Sequence, residues 1–262
     1  VCTNALLAGS RNWWAIPGAV IAALCLAFSR SNTSMFAACL AVTSMFLVMQ
    51  VPVIRQRYTA PVIISVTALI LLYELVVQHV VPGMDILLRP VTYLTGKDST
   101  FSARTIIWDV IKDHISLNPY LGTGYGAYWG GPVPTSPSYI FLSVMYWYPT
   151  ESHNGYLEVV NDMGMVGLAC VLLFIWFYIR QALQLMRIDR AQAALFLGVL
   201  FQDMILNMSE SDWVSRSDTF MILVLGSVCM ARALGDLRLP GAVAAGRQPS
   251  RYPAGVRGSS AY

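Results

Sequence analysis

The chain has 262 residues, of which 56% are hydrophobic and only 12% are charged. Soluble domains carry about 25% charged residues, so this composition excludes an ordinary water-soluble globule and indicates a polytopic helical membrane protein. The net charge of +3 is too small for a nucleic-acid-binding surface, and we expect no nucleic acid among the partners.

Six apolar segments follow one another along the chain, and a bilayer span needs about 17 to 25 residues. They are residues 13–28, 32–54, 60–81, 155–179, 191–209 and the shorter run 219–231. The sequence therefore predicts an all-α transmembrane bundle of about six spans. It divides into helices 1–3 (residues 1–81), a long loop (82–154), helices 4–6 (155–234) and a disordered basic tail (235–262).

Arginines cluster in connections that fall on one side of this bundle. Arg55 and Arg57 follow the second span, three arginines between residues 180 and 190 follow the fourth, and others follow the sixth. Because basic connections stay in the cytoplasm, the long loop is predicted to lie outside it. A connection of that length is uncommon and often functional.

The long loop contains one predicted helix. Apolar residues between Ile107 and Ile115 recur at helical spacing, and Asn118-Pro119 ends the pattern. The sequence therefore predicts an amphipathic helix over 102–115, along the membrane surface. A glycine-rich turn at 121–126 follows, where the backbone can approach a ligand or another helix closely.

Three side chains near the outer ends of these segments are candidates for chemistry. Arg30 follows the first span and offers a permanently charged fork of donors that suits an anionic group. Arg104 lies in the loop helix, with Trp108 one turn later on the same face. His153 immediately precedes the fourth span, where an imidazole can accept a proton. A snorkelling arginine, a solvated charge and a structural histidine are the alternative interpretations.

Polar side chains also recur within the spans, where charge normally faces protein or water. Three sets share a predicted helical face, namely Asn154, Glu158 and Asp162, then Asp203, Asn207 and Glu210, and the pair Glu74 and Gln78. We expect these faces to point into the bundle, although networks between helices would explain any one of them. Neither the cysteines nor these groups show metal-ligand spacing, so the sequence predicts no metal and no cofactor.

One pattern resembles a known family. His153-Asn154, nine residues, and Gly164-Met165-Val166-Gly167 resemble the signature of the O-antigen ligase and polysaccharide polymerase superfamily of bacterial inner membranes. Arg30 matches an arginine of that family, with Ser34 where the family has leucine. Residues 96–126 look most like the exopolysaccharide polymerase branch, with Ala103 in place of a glycine. The resemblance covers residues 29–217.

The resemblance implies a metal-independent, inverting glycosyl transfer at the periplasmic face. The donor would be an undecaprenyl-pyrophosphate-linked saccharide and the acceptor a glycan hydroxyl, in the bilayer and beside other components of polysaccharide export. Arg30 and Arg104 would hold the pyrophosphate and His153 would act as the base. The expected substrate-binding residues are Asn154, Trp108, Glu158 and Glu210. Members of the family have about twice as many spans, so the resemblance implies a C-terminal half that is inactive alone.

Other classes of function remain open from the residues themselves, although we prefer a polymerase. A transporter or flippase of lipid-linked saccharide is indicated by Glu74, Asp162 and Asp203 within spans, and its function would survive loss of the loop. A non-catalytic scaffold of an export complex would depend on neither His153 nor the arginines.

Overall fold

The computed structural model describes residues 2–7, 9, 13–29, 31–78, 103–214 and 218–236. Their α-helices are α1 (Cys2–Leu7), α2 (Ala15–Phe28), α3 (Asn32–Gln50), α4 (Thr59–Val77), α5 (Ala103–Ile115), α6 (Phe141–Val144), α7 (Gly155–Leu185), α8 (Arg190–Leu206) and α9 (Asp218–Asp236). A π-helical turn at Ile54–Tyr58 leads into α4, and a 3₁₀ turn at Pro137–Ile140 leads into α6. The described residues form no β-strand.

Each predicted span corresponds to a helix, namely α2, α3, α4, α7, α8 and α9. Four of them, α3, α4, α7 and α9, are long and apolar enough to cross a membrane, which confirms the all-α polytopic fold. The remaining two are shorter, with 14 residues in α2 and 17 in α8. Helix α9 continues five residues past the predicted end at 231, to Asp236. The predicted basic tail lies outside the described residues from 237 onward.

The basic connection between α3 and α4 and the one between α7 and α8 meet at one end of the bundle. This agrees with helices that alternate in direction. Arg190, the first residue of α8, donates to the carbonyl oxygen of Val48 at 3.2 Å and to that of Arg55 at 3.0 Å. The same guanidinium donates to Thr59 Oγ1 at 3.3 Å. The end of α3 and the starts of α4 and α8 therefore lie together at what we call the basic end.

The core lies between α3, α4, α7, α8 and α9. Helix α3 makes its most extensive contact with α8, and α7 packs against both α8 and α9. Tyr178, Leu200, Phe201 and Met204 are among the side chains that are almost completely buried there. Lipid is as apolar as these side chains, so close packing between the helices, and not removal from water, stabilises this interior.

The predicted loop helix is confirmed as α5. Ile107, Trp108 and Ile111 are at most 1% exposed, whereas Asp109 and Asp113 on the other face are exposed. The buried face joins Val76 and Val77 at the end of α4, together with Leu157 of α7, in one apolar cluster. Helix α5 therefore covers the ends of α4 and α7, opposite the basic end.

Helix α7 is interrupted at Gly164, where φ is +64° and ψ is −166°. The interruption frees backbone groups that the segment 119–126 satisfies. Thr123 and Gly124 donate to the carbonyl oxygens of Asn161 (2.9 Å) and Asp162 (2.8 Å). On the other side, Met165 N–H donates to Pro119 at 2.9 Å and Val166 N–H donates to Tyr120 at 3.2 Å.

Glycine is required on both sides of this contact. A Cβ at Gly164 would overlap the backbone of Tyr120, and a Cβ at Gly122 would lie 2.5 Å from the carbonyl carbon of Asp162. Both glycines also have positive φ, which costs other residues about 1–2 kcal/mol. The predicted close approach of the glycine-rich turn is therefore an approach to another helix.

We expect Gly164→Ala to lower the free energy of unfolding by about 3 kcal/mol, because the methyl group adds backbone overlap to conformational strain. Gly126→Ala is the matched control, since Gly126 has φ +66° and no atom of the described part of the chain lies within 4 Å of an added Cβ. It should cost only about 1 kcal/mol. Denaturant titration in detergent micelles measures both, and equal losses would contradict the close approach.

Candidate functional site

Asn154 caps the N-terminus of α7 and joins this helix to α4. Its Oδ1 accepts from Leu157 N–H at 2.9 Å and its Nδ2 donates to Glu74 Oε1 at 2.7 Å. Glu74 Oε1 also accepts from Gln78 Nε2 at 3.1 Å, so the predicted pair forms. Asn154 is completely buried. An amide that contacts substrate would have to leave one of these bonds, so the substrate-binding role of Asn154 stays a prediction.

The residue before His153 is held from three directions. Ser152 N–H donates to Glu158 Oε2 at 3.0 Å, and Ser152 Oγ lies 3.1 Å from Ser211 Oγ. The Ser152 carbonyl accepts from Trp108 Nε1 at 2.9 Å. Glu158 Oε1 in turn accepts from Trp129 Nε1. Trp108 and Glu158, both expected to bind substrate, therefore act on the site through Ser152, and Trp108 is 1% exposed.

His153 itself has a left-handed backbone, with φ +53°, which is unusual for a residue with a side chain. Its neighbours Ser152 and Asn154 are both completely buried, whereas the imidazole is 31% exposed. Strained backbone of this kind persists where the surroundings over-determine it and is common at functional sites. The bonds of Ser152 and Asn154 supply that constraint and turn the imidazole outward.

Two carboxylates, Glu151 and Glu210, lie beside this imidazole, and Arg104 is close enough to Glu210 to act on its charge. We call Arg104, Glu151, His153 and Glu210 the His153 cluster. His153 Nδ1 lies 3.2 Å from Glu151 Oε1, and one atom of each of Glu151, His153 and Glu210 lies within 4.8 Å of the others. Partial burial raises the pKa of Glu210, the charges of Glu151 and Asp212 raise it further, and Arg104 and His153 oppose the rise.

The structure thus brings together three of the predicted site residues, Arg104, His153 and Glu210. Arg30 lies outside the described residues. Glu151 was missed by sequence reasoning, which followed helical faces, because it belongs to the loop where no period applies. The one feature of the sequence that could have indicated Glu151 is its position two residues before His153.

The assignment of Glu210 to one inward helical face with Asp203 and Asn207 was wrong. Helix α8 ends at Leu206, so Glu210 lies beyond it and is exposed. Asp203 and Asn207 are completely buried as expected. Asn207 Oδ1 accepts the backbone N–H groups of Asp212 and Trp213 at 2.9 and 2.7 Å, and this folds the chain back so that Glu210 approaches His153.

Asp162 is the last member of the predicted set Asn154, Glu158 and Asp162, and it has a structural partner. Asp162 is 6% exposed and points inward as predicted. Its Oδ2 accepts from Gly126 N–H at 2.7 Å. It therefore holds the glycine-rich turn against the interruption in α7.

Glu151, His153 and Glu210 are the described residues that could hold a metal ion. Carboxylate and imidazole together suit first-row divalent ions. The sequence showed no such spacing because Glu210 comes from the far side of two spans. Arg104 opposes part of the negative charge at this place, since it acts on Glu210.

A family model described as O-antigen ligase matches residues 17–172. The chain belongs to the O-antigen ligase family. No curated protein and no solved structure gives a significant match. The match runs from α2 into α7 and includes Arg104, His153 and the interruption at Gly164, whereas Glu210 follows it.

Membership of the O-antigen ligase family gives the activity in general terms, a polysaccharide ligase or polymerase of the glycosyltransferase kind. The reactants of this family are a lipid-linked saccharide and a glycan acceptor, and both meet the enzyme in a membrane. The apolar helices α3, α4, α7 and α9 agree with that location. The His153 cluster lies away from the basic end, at the end of the bundle that α5 covers.

We expect Glu210 to destabilise the fold increasingly as the pH rises. Its pKa in the folded protein lies above the ordinary value of 4.5, so the folded state binds more protons than the unfolded state, and stability falls from about pH 4.5 through the raised pKa. Glu210→Gln removes this titration. The melting temperature of the wild type minus that of Glu210→Gln should fall modestly with pH, and a difference that stays flat or rises would contradict the expectation.

Proposed function

We propose that this protein transfers a saccharide from undecaprenyl pyrophosphate to the hydroxyl of a surface polysaccharide, as a polymerase in preference to a ligase. It acts at the periplasmic face of the bacterial inner membrane, beside other components of polysaccharide export. The transfer inverts the anomeric carbon and uses no metal ion. The meeting of Arg104, His153 and Glu210 at the end opposite the basic connections carries the proposal.

The donor side of the reaction needs positive charge. The bond that breaks joins the anomeric carbon to a phosphate oxygen, and the electron pair leaves with the undecaprenyl pyrophosphate. Arg104 stabilises this departing charge through its planar fork of donors. Arg30 is the second arginine that we assign to the diphosphate.

The acceptor side needs a proton acceptor. His153 takes the hydroxyl proton as the acceptor oxygen attacks the anomeric carbon from the face opposite the leaving group. Glu151, 3.2 Å from Nδ1, favours the imidazolium that forms. Glu210 orients the acceptor hydroxyl, while Asn154, Trp108 and Glu158 hold the imidazole in place through the backbone around it.

We expect His153→Ala to abolish long polymer, because loss of a general base costs about 100-fold or more in rate. Arg104→Ala and Arg30→Ala should do the same, since removal of a group that stabilises the leaving charge costs about 100-fold. Chain length on a gel, from cells that express the protein at equal levels, measures all three. Normal polymer from all three variants would remove the enzymatic proposal.

The matched control is Arg187→Ala, which removes an exposed arginine beyond the far end of α7 and should leave chain length unchanged.

We expect glycosyl transfer in isolated membranes to proceed in the presence of EDTA, because the proposed mechanism uses no metal ion. Activity that EDTA abolishes and Mn²⁺ restores would contradict the metal-independent mechanism and assign Glu151, His153 and Glu210 to a metal ion instead.

A second candidate function is transport of a lipid-linked saccharide, and buried acids within the spans favour it. Glu74 is 4% exposed, and its Oε2 has no hydrogen-bond partner among the described residues; the same holds for Oδ1 of the fully buried Asp203. A transporter could use such groups as proton carriers. In the glycosyltransferase, Glu74 Oε1 serves instead to hold Asn154.

We expect Glu74→Gln to preserve polymer formation, since an amide oxygen can accept the same hydrogen bonds from Asn154 and Gln78. Glu74→Leu should lower the free energy of unfolding by about 1–3 kcal/mol, because the buried Asn154 amide loses its acceptor. Gel analysis of polymer and denaturant titration measure the two effects. Loss of function in Glu74→Gln at normal stability, with lipid-linked saccharide accumulating on the inner leaflet, would favour the transporter.

A further inference from the structure

The segment 117–125, which follows α5, exposes apolar and aromatic side chains. Leu117 is 78% exposed, Tyr120 72%, Leu121 69% and Tyr125 58%. No charged side chain occurs from Leu117 to Thr150, whereas a segment surrounded by water would carry charge at about every fourth position. The composition and exposure of this segment are those of a surface that contacts lipid.

The depth of this segment follows from its bonds to α7. Met165 and Val166, whose N–H groups donate to the carbonyl oxygens of Pro119 and Tyr120, are themselves 50% and 53% exposed. They begin an apolar outward surface that continues through Leu173 and Trp176, each 55% exposed. The segment is therefore continuous with the exposed apolar side of α7, a helix long and apolar enough to cross a membrane.

The length of α7 indicates how deep the segment lies in the bilayer. Residues 164–179 of α7 carry no charge, and Gly164 and Arg180 are about 24 Å apart at 1.5 Å per residue. The hydrocarbon core is about 30 Å thick, and an arginine at its boundary extends its charge to the interface. With Arg180 at one boundary, Gly164 and the segment bonded to it fall at the other.

We propose that residues 117–125 insert into the boundary between headgroups and acyl chains of the leaflet opposite the basic end, with Leu117, Tyr120 and Leu121 in contact with lipid. Irregular backbone is tolerated at such a depth only when its polar groups are bonded. The bonds to Asn161, Asp162, Met165 and Val166 satisfy two N–H groups and two carbonyls of the segment. The occupant of this surface is the bilayer itself, and the inference does not depend on the glycosyl transfer.

A nitroxide at Leu121→Cys tests the insertion, in a chain whose five native cysteines are replaced and which is reconstituted in nanodiscs of phosphatidylethanolamine and phosphatidylglycerol. Collision with oxygen, which concentrates in lipid, is compared with collision with a nickel chelate, which stays in water. The oxygen-to-nickel ratio should be several-fold higher than at Asp109→Cys on the exposed face of α5. It should approach the ratio at Leu173→Cys, on the lipid-facing side of α7.

Tyr120→Cys serves as the second position and should behave as Leu121→Cys does. A ratio at both positions equal to that of Asp109→Cys would place the segment in water and overturn the proposal. Low collision rates with both reagents would show that a protein surface covers the segment, and this would overturn the proposal equally.

Discussion

The polar backbone at the end of α7 opposite the basic end has to be hydrogen-bonded where water is scarce, and the rest of the site depends on how this is done. A helix start leaves four N–H groups without partners. The Asn154 side chain binds Leu157 N–H, and the Asn207 carbonyl accepts from Gly155 N–H at 2.8 Å. The interruption at Gly164 adds further free groups, which the segment 119–126 satisfies.

These bonds explain why a loop and three spans meet at His153. The cap of α7 is bonded to Glu74 of α4, its first N–H to Asn207 after α8, and its interruption to the turn that follows α5. A change in any of these partners moves the residues around the imidazole. In this chain Asn154 and Gly164 therefore mark the two places where α7 is bonded to other segments, α4 at its cap and the loop at its interruption.

Glycine at the first residue of α7 belongs to the same arrangement. A Cβ at Gly155 would overlap the Asn207 side chain, whose Oδ1 holds Asp212 and Trp213. That contact is what brings Glu210 from the end of α8 to the imidazole. The order His-Asn-Gly therefore combines an outward imidazole, a buried cap and a close approach in three consecutive residues.

The apolar runs were sufficient to predict the six spans, and helical spacing was sufficient to predict α5, whereas the short helices α1 and α6 were not predicted. The meeting of Arg104 and His153 was predicted only through the resemblance. What the sequence did not reveal were contacts between distant segments. Glu151 lies in a loop without periodicity, and Glu210 was extrapolated along a helix that ends four residues earlier. Trp108 shared a face with Arg104 in the sequence, yet packing placed its ring in the interior.

The charge of the His153 cluster bears on how a diphosphate could bind there. Among the described residues, Glu151, Glu210 and Asp212 supply three carboxylates against the one guanidinium of Arg104, and burial together with this excess raises the pKa of Glu210. A diphosphate would add more negative charge to the same place, so donor binding requires a further cation. Helix α3 meets Arg190 through Val48 at its far end, so its first turn, capped by Ser31, faces the end where the cluster lies. Arg30 directly precedes that cap in the sequence, and this is the physical reason to assign the second phosphate contact to it.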